Sequence, residues 1–230
     1  MAFATIDVTK GITGTIATSN LPTIPVTKGG TNLTSGTTDQ FLKFTGTTTI
    51  ASAADNAGIY NQVANVTISD GDSIEELQSI FTSTYRNYMI LFERIAVNTN
   101  SADLEIKFIK SDGSVPSEHT FGASYIDSSS YSNRYGSVNS SSVTLMQGQG
   151  QGAGKHISGY MHCFEMNNTT DGVQKYTWFL SARHHSSSHG VVYGGGNIAT
   201  NAARTGIKLT VNSGTMFGGR IVVYGITNPS

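Results

Sequence analysis

The chain has 230 residues, 37% of them apolar, which is enough for one sizeable core within one or two domains. Charged residues make up only 13% and the formal net charge is −1, so no basic stripe exists to track a phosphate backbone and nucleic acid is not expected as a partner. Cys163 is the only cysteine, which leaves no intramolecular disulfide and no cysteine-based zinc site.

Two further classes are set aside on the same grounds. No apolar run approaches the ~20 residues of a membrane span, and Met1-Ala2-Phe3-Ala4-Thr5 has no basic segment leading into an apolar core. The expectation is a soluble chain without a recognisable export signal and without membrane insertion. Disorder is disfavoured too, because ten Tyr, ten Phe and one Trp are spread through a charge-poor chain. Abundant Gly, Thr, Ser and Asn suit short strands and many turns.

Residues 1–58 are dominated by Thr, Gly, Ser and Ala, with isolated apolar residues that recur regularly: Ile6, Val8, Ile12, Ile16, Leu21, Ile24, Val26 and Leu33. An internal repeat runs through them. Val8-Thr9-Lys10-Gly11-Ile12-Thr13 matches Val26-Thr27-Lys28-Gly29-Gly30-Thr31, with Pro22 and Pro25 between the copies. Each unit is too small to bury its own side chains. Winding of several chains about one axis would bury them, so the segment reads as an extended stem that needs copies of itself. The only strongly apolar stretch in it is Phe41-Leu42-Lys43-Phe44.

Residues 59–84 read as a neck. Val63, Val66 and Ile68 suggest a short strand. Asp72 followed three residues later by Glu75 resembles a capping box, and Ile74, Leu77 and Phe81 share one helical face. The spacing predicts one short helix of about two turns.

Residues 85–230 read as strand after strand. Tyr88–Val97 is rich in β-formers, and Leu104–Lys110 alternates apolar with charged residues as a half-exposed strand does. Ser111-Asp112-Gly113 turns the chain. Further strands are expected over 120–126, 142–146, 156–166, 175–182, 190–198, 206–212 and 219–226. Their short connections make them antiparallel, which gives a mainly β chain ending in an antiparallel β-sandwich, jelly-roll-like in outline.

Two segments carry a family resemblance. Pro25-Val26-Thr27-Lys28-Gly29-Gly30-Thr31-Asn32-Leu33-Thr34-Ser35-Gly36, with Gln40-Phe41-Leu42-Lys43-Phe44 behind it, resembles repeats of bacteriophage tail-fibre and fibre-like virion proteins, especially of marine and cyanobacterial phages. Gly14-Thr15-Ile16, leading to Leu21-Pro22, looks like the units that stand beside those repeats. The closing Gly219-Arg220-Ile221-Val222-Val223-Tyr224-Gly225-Ile226 is similar to β-sandwich modules that end many such proteins. The resemblance implies a homotrimer on the virion surface, with intertwined stems that hold other virion proteins and with no cofactor. The chain departs from long fibres in having only two stem repeats. A short tail fibre that attaches to host-surface glycan and a capsid decoration or head fibre anchored by the stem both fit.

The candidate sites follow from side-chain chemistry. His184, His185 and His189 cluster between two strands, but no Asp, Glu or Cys stands near in sequence to complete a tetrahedral metal set, and no metal is expected. Asp127–Asn139 reads as a connection rich in Tyr, Ser, Asn and Gly, and its Tyr131, Asn133, Arg134 and Tyr135, together with His184, His185 and His189, are the ligand-binding candidates. Tyr supplies rigid aromatic area that suits sugar faces, and the polar residues supply adaptable hydrogen bonds. Gln147–Gly154 reads as a flexible tip loop, and Trp178 reads as core. A polysaccharide depolymerase would need two carboxylates flanking a sugar. Asp112 and Asp171 read as turn residues, Glu105 as a solvated face, and no nucleophile elbow is present, so no catalytic residue is named and the protein is read as a non-enzyme.

Overall fold

The computed structural model describes residues 41–44, 50–53, 59–127, 133–152, 154–169, 173–183, 189–199 and 202–227. The chain divides into two units, Met1–Ala57 and Gly58–Ser230. Of the first unit, the described part is an antiparallel hairpin of β1 (Phe41–Phe44) and β2 (Ile50–Ala53). The repeats and the stem expected over the rest of residues 1–58 lie outside the described residues.

The second unit is built from strands in antiparallel sheets. They are β3 (Tyr60–Thr67), β4 (Ile74–Leu77), β5 (Asn87–Val97), β6 (Ala102–Ile109), β7 (His119–Asp127), β8 (Asn133–Ser140), β9 (Val143–Gln149), β10 (Ile157–Phe164), β11 (Val173–Arg183), β12 (His189–Ala199), β13 (Gly206–Val211), β14 (Met216–Phe217) and β15 (Arg220–Ile226). The larger sheet runs β3-β15-β5-β10-β11-β12-β7-β8, with β14 pairing the end of β5. The smaller runs β4-β13-β6-β9.

The two sheets share one core. Alternate residues of each strand point inward, as period-two geometry requires. Phe108 on β6 stacks on Tyr176 of β11, with ring centroids 5.3 Å apart and planes at 29°. Phe81 packs edge-on against Tyr88 at 4.9 Å. Trp178 is buried, as expected, and its indole nitrogen donates to the Leu145 carbonyl of β9 at 3.1 Å. That bond gives the one polar atom of a large ring a partner inside the core.

Three expectations are corrected. The helix predicted around Ile74–Phe81 is strand β4, paired with β13 so that Leu77 faces Ile207 and Ile74 faces Thr210. No helix occurs among the described residues. Two helical turns are marginal without tertiary support, whereas the edge of β13 offers a full hydrogen-bond ladder, and Lys208 pairs with Glu76 across it at 2.9 Å. Asp72 closes a turn instead of capping a helix: its carboxylate accepts from the Ser69 amide at 3.2 Å and its carbonyl from the Met216 amide at 2.6 Å.

The stretch Gln147–Gly154 is not a tip loop. Its first residues continue β9, Gln149 is fully buried, and its side-chain amide donates to the Lys155 carbonyl at 2.5 Å. Gln151 bridges to Val97. The connection read over Asp127–Asn139 is largely strand β8, the edge of the larger sheet, because Gly136 and its neighbours complete a ladder with β7.

A polar group is set into the core below β7. His119 is fully buried between Phe108 and Tyr176, and Arg204, also fully buried, pairs with Glu118. Burial, reinforced by the Arg204 charge and opposed by Glu118, holds the His119 pKa down at about 4. His119 is therefore a neutral ring at pH 7.

Candidate functional site

The outer face of the larger sheet carries the candidate site. Tyr176, Trp178 and Leu180 of β11 point inward and are buried, so Lys175, Thr177, Phe179 and Ser181 point outward. Strand register then aligns one outward row across six strands: Leu91, Tyr160, Phe179, Tyr193, Ser124 and Arg134. Two residues along lies a second row: Met89, His162, Thr177, Gly195, Gly122 and Gly136.

The first row contains three exposed aromatic rings side by side. Tyr160, Phe179 and Tyr193 keep between 41% and 47% of their surface in contact with solvent. Tyr160 and Phe179 lie 6.2 Å apart with their planes at 28°. His162 packs edge-on to Tyr160 at 5.4 Å. Aromatic residues this exposed are normal when single; here three form one contiguous band on the sheet face.

Beyond Tyr193 the face drops into a depression of about 450 Å³ lined by Gly122, Ser124, Arg134, Tyr193 and Gly195 among others. The glycines explain it. Glycines on the inner face of β12 are demanded by packing: a Cβ on Gly194 would overlap the Trp178 ring, and one on Gly196 would lie 2.7 Å from the Tyr176 hydroxyl. Gly122 faces outward, and a Cβ there would meet no atom within 4 Å. Its missing side chain leaves open space that the fold itself does not need.

The residues expected to bind ligand are distributed unevenly around this face. Arg134 stands exposed on β8 at the end of the aromatic row, and no carboxylate among the described residues pairs with it. Tyr135, next in the strand, turns the other way. Its ring packs on the core and its hydroxyl donates to the Leu145 carbonyl at 3.0 Å, while burial pushes its pKa up. The Tyr135 hydroxyl is thus held inside, because the residue after an outward position in a strand points inward, while Tyr135 still contributes to the lining of the depression. Asn133 begins β8 opposite Tyr125, and its side chain lies outside the described residues. Tyr131, His184 and His185 also lie outside them. His189 is exposed at the start of β12, opposite Arg183. Among the described residues no cluster of three or more His, Cys, Asp or Glu could hold a metal ion.

Compared with protein-family models, with curated proteins and with solved structures, the chain has no significant match in any of the three. Several acids among the described residues are engaged locally: Glu93 with Arg220 at 2.5 Å, Glu165 with Arg86, Glu118 with Arg204, and Asp103 with Asn212 and the Gly148 amide at 3.0 and 2.9 Å. Asp112 accepts from the Ser114 amide at 2.9 Å in the expected turn, and hydrogen bonds from the Ser114 side chain and amide hold its carboxyl below the usual range. A second, more polar recess of about 420 Å³ lies between Thr82–Arg86 and Glu165–Thr169.

Tyr160, Phe179 and Tyr193 were not singled out by the sequence. The signal was present in one place. Trp178 and Phe179 are neighbours in a strand, so a buried Trp178 requires an outward Phe179.

Proposed function

We propose that the protein is a non-enzymatic fibre-like virion protein of a bacteriophage, a homotrimer held to the particle by its N-terminal stem. Its C-terminal module, a jelly-roll-like sandwich, attaches the particle to host-surface glycan. The repeats over residues 8–31 support the virion assignment. The observation that carries attachment is the outward aromatic row Tyr160, Phe179 and Tyr193 beside a glycine-floored depression. Aromatic rings with polar neighbours on a rigid sheet suit the mixed apolar and hydroxyl surface of a sugar.

A second reading, a capsid decoration or head fibre anchored by the stem, fits the two repeat copies equally well. Cryo-EM of the intact particle separates the two. Density on the tail is expected for the attachment protein, and density at capsid sites establishes the alternative. Light scattering checks the oligomer, with three times the monomer mass of 24.4 kDa expected. A monomer at micromolar concentration would overturn the stem reading.

A further inference from the structure

We propose that the depression floored by Gly122 and Gly195 binds a pyranose bearing a carboxylate, such as a uronate or a sialate; this rests on the attachment reading and names its ligand. Three observations converge on that chemistry. The first is shape. The depression measures about 450 Å³, within the ~300–1,000 Å³ of small-molecule sites, and Gly122 leaves it open without any packing need.

The second is the order of groups along the row. Tyr193, Ser124 and Arg134 stand opposite one another on β12, β7 and β8. Strands lie ~4.8 Å apart, so an aromatic face, a hydroxyl and a guanidinium follow one another over about 10 Å. The C–H face of a pyranose stacks on the Tyr193 ring, its hydroxyls reach Ser124, and its exocyclic carboxylate meets the planar fork of Arg134.

The third is charge. Arg134 is the only Asp, Glu, Lys or Arg in the two rows beside the depression, and the next outward row, beyond the second, adds a cation, Lys175. Among the described residues that line the depression there is a guanidinium and no carboxylate.

Saturation-transfer NMR on the full-length protein tests the proposal, with sodium glucuronate and N-acetylneuraminate as probes and methyl glucoside as the neutral control. Saturation of the ring protons of an acidic sugar is expected, with an affinity about tenfold above that of methyl glucoside. Gly122→Leu fills the depression and Tyr193→Ala removes its wall, and each is expected to reduce binding about tenfold or more. Arg134→Gln is expected to leave the neutral sugar unaffected while abolishing the preference for the acid. Thermal melts confirm that each variant is folded, and Tyr193→Ala carries the test if Gly122→Leu is not. Undiminished glucuronate and neuraminate binding in the folded variants, or a preference unchanged in Arg134→Gln, overturns the site. So does a change of oligomeric state in Tyr193→Ala, which would assign the face to a second copy. Adsorption to host cells is measured in parallel. Cells bound equally by wild type and Gly122→Leu sink this site and leave attachment standing, whereas wild type that binds no cells sinks the attachment reading itself.

Discussion

The two faces of β11 and β12 use the same residue types for opposite ends. Inside, Tyr176 and Trp178 lie against Gly194 and Gly196, and the absent side chains make room for the rings. Outside, Phe179 and Tyr193 stand in solvent beside Gly195 and Gly122. The inner pairing is a packing device, since close-packed interiors leave no space for an extra methyl group. The outer pairing builds a recess that packing does not explain at Gly122. Glycine in a strand normally weakens it, so an outward glycine with open space above it points to something that approaches from outside.

The comparison can be broken most sharply at Gly196. A side chain there meets the Tyr176 hydroxyl and the Phe121 backbone, so Gly196→Val should destabilise the unit by about 3 kcal/mol or more in urea denaturation. A loss below about 0.5 kcal/mol would mean that the inner face is loosely packed.

The next effect comes from His119, inward on β7. Its folded pKa is about 4 against 6.5 for the free side chain, so the unfolded chain binds the extra proton first as pH falls. The stability it supports is complete above pH 6.5, declines as pH falls below that value, and is lost once pH passes below about 4. The wild type should lose about 3 kcal/mol more over that range than His119→Leu. Denaturation midpoints of both proteins from pH 7 to pH 4 check this, and parallel curves would show that the ring is not neutral and buried.

The outer face should respond weakly. Phe179→Ala removes one exposed ring from a cross-strand row and should cost at most about 1 kcal/mol in the same assay. Gly122→Leu, with nothing to collide with, should stay within about 0.5 kcal/mol of wild type. A large loss at Gly122 would return that glycine to the packing class and remove its claim to a binding role.

Much of this was legible before any coordinates. The strands over Tyr88–Val97, Leu104–Lys110 and Lys175–Ala182 showed because a period of two or a dense β-forming run leaves a clear trace. Trp178 was readable as core for the same reason. Strand β4 was not, because Ile74, Leu77 and Phe81 fit a helical face as written and only the free edge of β13 turned the segment into a strand. Strand β8 was hidden in a run of Ser, Asn, Tyr and Gly that reads as a connection, and ladder pairing with β7 overrode that local preference. Arg134 and Tyr135 were both candidates, yet only the pleat of β8 separates an outward guanidinium from an inward phenol.

By itself, then, the sequence determined that this is a β protein with turns where Gly, Asn and Ser gather, since alternation and turn chemistry are local and survive in one dimension. It also carried the repeats on which the virion reading rests. The tertiary structure alone decided which strands are neighbours. That decision put Tyr160, Phe179, Tyr193, Ser124 and Arg134, drawn from five separate strands, in one row. Register between distant strands depends on the long-range fit of two sheets around a shared core, and no local pattern encodes it.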